Sequence, residues 1–315
     1  MKKLFSLAVA ILFLFNGCMN SVDLPKWYVS STKDNTKYIY GTGEGSTKQS
    51  AVVNALNVIA SKINVKISSE FTAQKSMIES NGNTSFYRNV DKNIKVNVND
   101  LTIYDYEVVK TANIDGKYYV LVKVDRHKNA ELLFNRILND YNKLKKSLSI
   151  VSSPIDKTKT YKKAVAKIDE MITKLYIVDA LDGSMHRKVE KVINEMSEFE
   201  KKLQKSLKNI SFNVISKDTK LKQITQNILS KFNFNISRSG NIDVVVQNTP
   251  SDISSVGNIL HVNKVVLKLN DNQKTLTSSI TCVGKSIDKE LAESLSYKEC
   301  KKRIEKKLKE VLLNN

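Results

Sequence analysis

The sequence predicts an α+β protein, with two small α/β sandwich-like modules flanking a three-helix, heptad-like segment. Three observations carry that expectation. Strand and helix signals alternate over residues 37–127 and again over 209–315. Between them, over 128–208, apolar residues step by three and four. The chain has 315 residues, 41% of them hydrophobic, enough to bury a core in more than one domain and to exclude wholesale disorder.

The N-terminus comes first. Lys2 and Lys3 precede an apolar run from Leu4 to Phe15, broken only by Ser6. About twelve residues are too few for a bilayer span, which needs ~20, and they suit the apolar stretch of a signal peptide. Phe15-Asn16-Gly17-Cys18 resembles the bacterial lipobox, in which a small residue precedes a cysteine that receives diacylglycerol. That cysteine becomes the new N-terminus and is N-acylated, for instance with palmitate. Residues 1–17 therefore read as a lipoprotein signal peptide and Cys18 as the lipidation site. Three acyl chains exceed the two signals that stable anchoring needs. Met19, rather than Asp, follows the cysteine and favours the outer membrane, facing periplasm or cell surface. Residues 18–36 are mostly polar and read as a tether that would reach ~60 Å when extended.

In the first module, Tyr38-Ile39-Tyr40 is a short strand ending at Gly41-Thr42-Gly43-Glu44-Gly45. Ser46 with Gln49 forms a capping box. Val52, Ala55, Leu56, Ile59 and Ile63 line one helix face, and Val65, Ile67 and Phe71 alternate as a half-buried strand. Residues 72–92, with the turn Asn81-Gly82-Asn83, read as a polar excursion. Strands follow at Leu101–Lys110 and Lys117–Asp125, joined by the hairpin turn Asp115-Gly116.

Pro25-Lys26-Trp27, the run Tyr38 to Ser46, the Ala/Leu/Ile-rich helix and Val65-Lys66-Ile67-Ser68-Ser69-Glu70-Phe71 together resemble the Lpp-twenty lipoprotein family. A flagellar basal-disk lipoprotein and the N-terminal part of a flagellar T-ring protein are similar. The resemblance covers roughly residues 18–127. It implies an anchored α/β module with a structural or surface role, and it supplies no catalytic residue to carry over.

The helical segment, 128–208, shows three seams. They run through Phe134, Ile137, Tyr141, Leu144 and Leu148; through Tyr161, Val165, Ile168, Ile172 and Leu175; and through Met185, Val189, Val192, Met196, Phe199 and Leu203. Pro154 and Asp182-Gly183-Ser184 separate the helices. A helical bundle or hairpin is expected, with each helix too short to require an oligomer.

In the last module, 209–315, a helix at Leu221–Leu229 precedes strands at Phe234–Ser237, Asp243–Gln247, Leu260–Leu269 and Thr275–Val283, and a helix spans Ile287–Leu313. Period two puts Cys282 on the apolar side of its strand, and helical spacing puts Cys300 on the apolar side of the last helix. A helix folding back across the strand would let the two sulfurs meet. A Cys282–Cys300 disulfide is the expectation, against two buried free thiols.

The net charge is +19, falling to +17 if Lys2 and Lys3 leave with the signal. Of the 51 basic residues 45 are Lys, a bias that does not suit bidentate phosphate reading. The densest basic run, Lys298 to Lys309, is interleaved with Glu299 and Glu305 and reads as a solvated mixed face. Three cysteines and three histidines exclude a disulfide-dense scaffold and a Cys/His zinc cluster. His127, His186 and His261 are far apart in sequence. Gly41-x-Gly43-x-Gly45 lacks dinucleotide spacing and reads as a tight strand-to-helix turn, with Glu44 beside the helix start.

No catalytic, cofactor-binding or metal-binding residue is expected, and the chain is read as a non-enzyme without cofactor. The leading function is a lipid-anchored envelope protein with a structural or assembly role at the outer membrane. Its expected partners are the membrane, envelope or flagellar-motor proteins and anionic envelope polymers, not nucleic acid; oligomerisation is left open. Two alternatives stand beside it. One is an outer-membrane-tethered regulator of peptidoglycan synthesis, the other an envelope enzyme with an unrecognised site.

Overall fold

The computed structural model describes residues 23–30, 32–79, 103–255 and 257–313. They are of α+β class and fall into two compact units, the first holding the described residues up to 74 and 103–130, the second those of 75–79 and all beyond 130.

The first unit begins with a one-turn helix, α1 (Lys26–Val29), then β1 (Tyr38–Gly45), α2 (Lys48–Glu79), β2 (Glu107–Ile114) and β3 (Lys117–Asp125). The strands form an antiparallel sheet in the order β1-β3-β2. Asp115 and Gly116 both have positive φ, and Ile114 pairs with Lys117 around them, so the two-residue hairpin forms where Asp-Gly predicts it. The second strand runs Glu107–Ile114 rather than 101–110, with a register break between Val108 and Lys110.

The expected strand over Val65–Phe71 is helix instead. No Gly or Pro interrupts Lys48–Glu79, so the helix begun by Val52 and Ala55 simply continues, leaving Val65 67% exposed. The turn Asn81-Gly82-Asn83 lies outside the described residues. The capping box is also one residue later than expected: Ser50 N–H bonds Thr47 Oγ1 and Thr47 N–H bonds Ser50 Oγ, both at 3.1 Å.

The glycines are not a turn. β1 extends through Gly45, and its pleat puts Ile39, Gly41, Gly43 and Gly45 on the face under α2. A Cβ on Gly41 would strike the Ala55 carbonyl, and one on Gly43 would strike the Ala51 carbonyl and Ala55 backbone. Helix and strand touch through their main chains.

The second unit takes in most of α3 (Arg126–Ser149), then α4 (Pro154–Leu181), a short 3-10 turn (Gly183–Met185) and α5 (His186–Lys208). There follow β4 (Ser211–Ile215), α6 (Thr219–Lys231), β5 (Asn235–Ile236), β6 (Ile242–Ser255), β7 (Asn258–Asn270), β8 (Thr275–Ser286) and α7 (Lys289–Leu312). The sheet order is β5-β4-β6-β7-β8, parallel among the first three strands and antiparallel beyond.

The helical seams are buried at Phe134, Ile137, Tyr141, Ile168, Ile172, Leu175, Val189, Met196 and Leu203. Helices and sheet share one unit because the start of α4 is fastened to the β7–β8 loop. The Asp271 carboxylate accepts from the Ser153 hydroxyl and, at 2.9 Å, from the Ile155 N–H. Burial opposes its charge, but these bonds with the Lys274 and Gln273 N–H groups outweigh it and hold the pKa below the usual range. Ile155 itself packs into the sheet core beside Phe212, Leu221 and Ile304.

Two predictions follow from packing and burial. Gly43→Ala should destabilise the first unit by about 3 kcal/mol through forced overpacking, read as a lowered thermal midpoint. Gly183→Ala, whose added Cβ meets nothing within 4 Å, should be near neutral. Separately, Glu200 of α5 is buried near Asp169, and burial first, then Asp169, raises its pKa to about 6. A carboxyl with a raised folded pKa is penalised when ionised, so stability should rise as pH falls from 7 toward 4.5. Glu200→Gln should remove that slope and add about 1 kcal/mol at pH 7 after solvent screening, checked by chemical denaturation at pH 5 and 7.

Candidate functional site

Cys18 lies outside the described residues. The segment behind it is visible from residue 23, and most of it is not a free tether. Tyr28 and Val29 N–H groups bond the Pro25 carbonyl, forming α1. The Tyr28 ring meets Tyr119 of β3 edge-on at 4.8 Å, and its hydroxyl donates to Glu44 Oε2 at 3.2 Å. Lys117 Nζ holds the other Glu44 oxygen at 2.7 Å. That bond keeps the Glu44 carboxyl below its usual range, while burial and then Glu44 push the Tyr28 phenol up. Glu44 is thus a clamp for α1, not a partner of the helix start.

Further on, Asp34 Oδ1 accepts from the Tyr40 N–H and from Lys62 Nζ, and Asn35 Oδ1 accepts from the Lys37 and Tyr38 N–H groups. Arg126 Nε donates to the Asn35 carbonyl at 2.9 Å. The described residues of 25–37 are therefore docked, and six residues, 19–24, separate Cys18 from the docked module. Their extended reach is about 20 Å rather than ~60 Å.

Cys282 and Cys300 are joined by a disulfide with their Cα atoms 5.2 Å apart. A second strand glycine sets this joint. A Cβ on Gly284 of β8 would strike the Ala292 carbonyl and Ser296 N–H of α7, so the helix sits directly on the strand. A chain of polar groups runs alongside, unforeseen from sequence. Tyr297 OH and Asn248 Nδ2 both donate to Asp218 Oδ2, Asn248 Nδ2 also lies 2.8 Å from Asn263 Oδ1, Asn263 Nδ2 donates to Ser296 Oγ, and Ser296 Oγ donates to the Cys282 carbonyl. Asp218 Oδ1 meanwhile caps α6 through the Leu221 N–H. Burial and then Asp218 push the Tyr297 phenol up. The chain ends on a helix cap and a main-chain carbonyl, an arrangement that orients helices.

The histidines are separate. His186 Nδ1 pairs with Asp179 at 2.8 Å, and His261 Nδ1 with Asp252 at 2.7 Å, whose other oxygen holds Lys289. Among the described residues no group of three or more His, Cys, Asp or Glu is placed to hold a metal ion. In the basic run on α7, Arg303 pairs with Glu299 and Lys307 with Glu310 at the surface. A shallow depression on the outer side of α2 is lined by Asn57, Val58, Ser61, Lys62 and Val65. Among the described residues no helix is long and apolar enough to cross a membrane.

Residues 25–125 match the family described as LPP20 lipoprotein. The match opens on Pro25, the residue whose carbonyl starts α1, and closes on Asp125, the last residue of β3. No curated protein matches the sequence. Among solved structures, the secreted protein HP1454 of Helicobacter pylori is similar in fold, with a TM-score of 0.54 and 14% identity over 89% of this chain and all of that one. The family match covers about a third of the chain, and the likeness to the solved structure is one of fold.

The disulfide closes a loop with a sequence separation of 18. Replacing both cysteines by serine should cost the second unit about 3 kcal/mol in the chain-entropy model, measured as the shift in its denaturation midpoint against the oxidised protein.

Proposed function

We propose that this chain is a non-catalytic, lipid-anchored cell-envelope protein with a structural or assembly role at the outer membrane. The observation that carries the reading is one of adjacency. A lipobox-like Phe15-Asn16-Gly17-Cys18 stands six residues before a docked module matching the LPP20 lipoprotein family. Acyl chains on Cys18 would hold that module within about 20 Å of the lipid surface. The secreted neighbour in fold is in keeping with an exported chain.

The net charge favours anionic headgroups and acidic envelope polymers as surroundings, and motility-associated partners remain part of the proposal through the family resemblance. The alternative of a tethered regulator of wall synthesis, which a long linker and the helical segment would suit, has less of that linker to draw on, because part of the segment behind Cys18 is docked.

Cys18→Ser tests the anchor. The wild-type chain should carry label from a fed fatty acid and fractionate with outer membranes, while the variant should lose the label and accumulate as a longer or soluble species. Equal labelling of the two would refute lipidation at Cys18.

A further inference from the structure

We infer that the face of the first unit carrying α1 is a lipid-seating surface. It lies against anionic headgroups, with Trp27 and Val29 in the interface and the Tyr38–Tyr40 pair with its lysines beside them. The two sides of the sheet differ. Ile39, Gly41 and Gly43 turn toward α2, and their β3 partners Val124, Val122 and Val120 turn the same way. The alternate residues make the other face: Tyr38, Tyr40 and Glu44 of β1, with Lys123, Tyr119 and Lys117 of β3 opposite or near them. α1 lies on that second face, held by Tyr28 against Tyr119 and Glu44.

α1 is presented rather than buried. Its four residues are too few to hold a helix alone, so Tyr28 supplies the attachment, yet none of them is buried. Val29 is 68% exposed and Lys26 is exposed, while Leu24 and Trp27, the one tryptophan of the chain, are only half-buried. Tryptophan and tyrosine, with an apolar body and a polar tip, are the side chains of a membrane–water interface. The same chemistry recurs along the strands. Lys37 Nζ and Lys123 Nζ each stand 5.1 Å from the centre of the Tyr38 ring, and Tyr40 meets that ring edge-on. Apolar lysine stems with charged ends suit such a boundary. The carboxylates of this face are engaged within the chain, Glu44 by Lys117, Glu107 by Lys123 and Asp125 by the Lys128 N–H. Lys26, Lys37 and Lys110 then give it a cationic surplus, the sign that anionic headgroups attract.

The point of attachment says what covers the face. The chain enters the unit at Pro25, immediately before α1 and six residues after Cys18. Acyl chains on Cys18 therefore bring lipid within about 20 Å of α1. The outer side of α2 also exposes Val53, Val58 and Val65, but it lies across the sheet and a full helix diameter from that entry. A contact so near its own anchor is made at high effective concentration, so a few side chains are enough to populate it. The seat rests on the proposed anchor for its tether in the cell, and its test supplies a tether of its own.

With Cys282 and Cys300 joined, Cys18 is the one free thiol of residues 18–315. Coupled there to a maleimide phospholipid in vesicles of phosphatidylcholine and phosphatidylglycerol, the chain is tethered whether or not a cell acylates it. Trp27 emission should shift to the blue and be quenched by lipid brominated near the top of its acyl chains. In a chain with Trp27→Phe and Asn57→Trp the reporter sits on the outer side of α2 and should stay unquenched. Val29→Asp, and Lys26→Glu combined with Lys110→Glu, should each cut the Trp27 quenching at least by half. Neither should lower the thermal midpoint, because all three side chains are exposed. Equal quenching of the two reporters means a module turning freely on its leash and overturns the seat, as does quenching of neither or of Asn57→Trp alone. Trp27 quenching indifferent to these substitutions overturns the face. A blue shift that grows with protein density, without quenching by bromine, means that a second copy covers α1 and overturns the lipid as occupant. Each of these failures leaves lipidation untouched, since Cys18→Ser reads that separately.

Discussion

Main-chain contact between a strand and the helix that follows it is the constraint on which both units depend. A helix on a sheet is ordinarily held off by the Cβ atoms of the strand. At Gly41, Gly43 and Gly284 there is none, and carbonyls of Ala51, Ala55 and Ala292 occupy that space. Small residues on both surfaces let each helix turn back across its own strand at short range. In the second unit this closeness decides the rest of the joint. With α7 pressed onto β8 at Gly284, Cys300 arrives two turns later above Cys282, and Ser296 between them reaches the Cys282 carbonyl. The disulfide fastens a contact that glycine makes available.

Much of this was legible in the sequence where local pattern and tertiary context agree. The apolar run Tyr118 to Val124 and the clean alternation of Thr275 to Val283 became strands as read, and Asp115-Gly116 became the hairpin. The misreadings have physical causes. Val65, Ile67 and Phe71 are β-prone and alternate, yet nothing stops a helix already about five turns long from absorbing them. Ser211–Ile215 carries only Phe212 and Val214 as buried residues, and its strand exists because β6 pairs with it from thirty residues away. The second half of β6 is polar and holds Pro250, which looks like a loop. It is a strand because that side lacks a β4 neighbour, so the missing N–H of proline costs no ladder bond.

The docked segment was harder still, since it has no period to read. Its hold comes from Asp34 and Asn35 bonding main-chain groups and from one tyrosine clamped between Glu44 and Tyr119. Asp and Asn just before a strand are a recognised turn signal, but which distant groups they will meet is a fact of the fold. The same is true of the chain from Tyr297 through Asp218 and Asn248 to Asn263, whose members come from α7, the α6 cap, β6 and β7.

A short leash and a rigid joint bear on each other. Two binding events on one chain reinforce only when the linkage lets both be made at once. The lipid anchor proposed at Cys18 would confine copies to a plane, and the six residues between it and the docked module would hold that module close to the plane. Confinement raises the concentration at which copies meet, so even a weak contact is populated there more than in solution. Rigidity lowers the other cost, because the disulfide, the Gly284 contact and the buried bonds to Ser296 and Tyr297 fix α7 and β8 before any partner arrives. A surface already ordered loses little entropy when a partner meets it. Under the proposed assembly role, confinement by an anchor and preorganisation of the α7–β8 joint would act on the same equilibrium, the first through concentration and the second through intrinsic affinity.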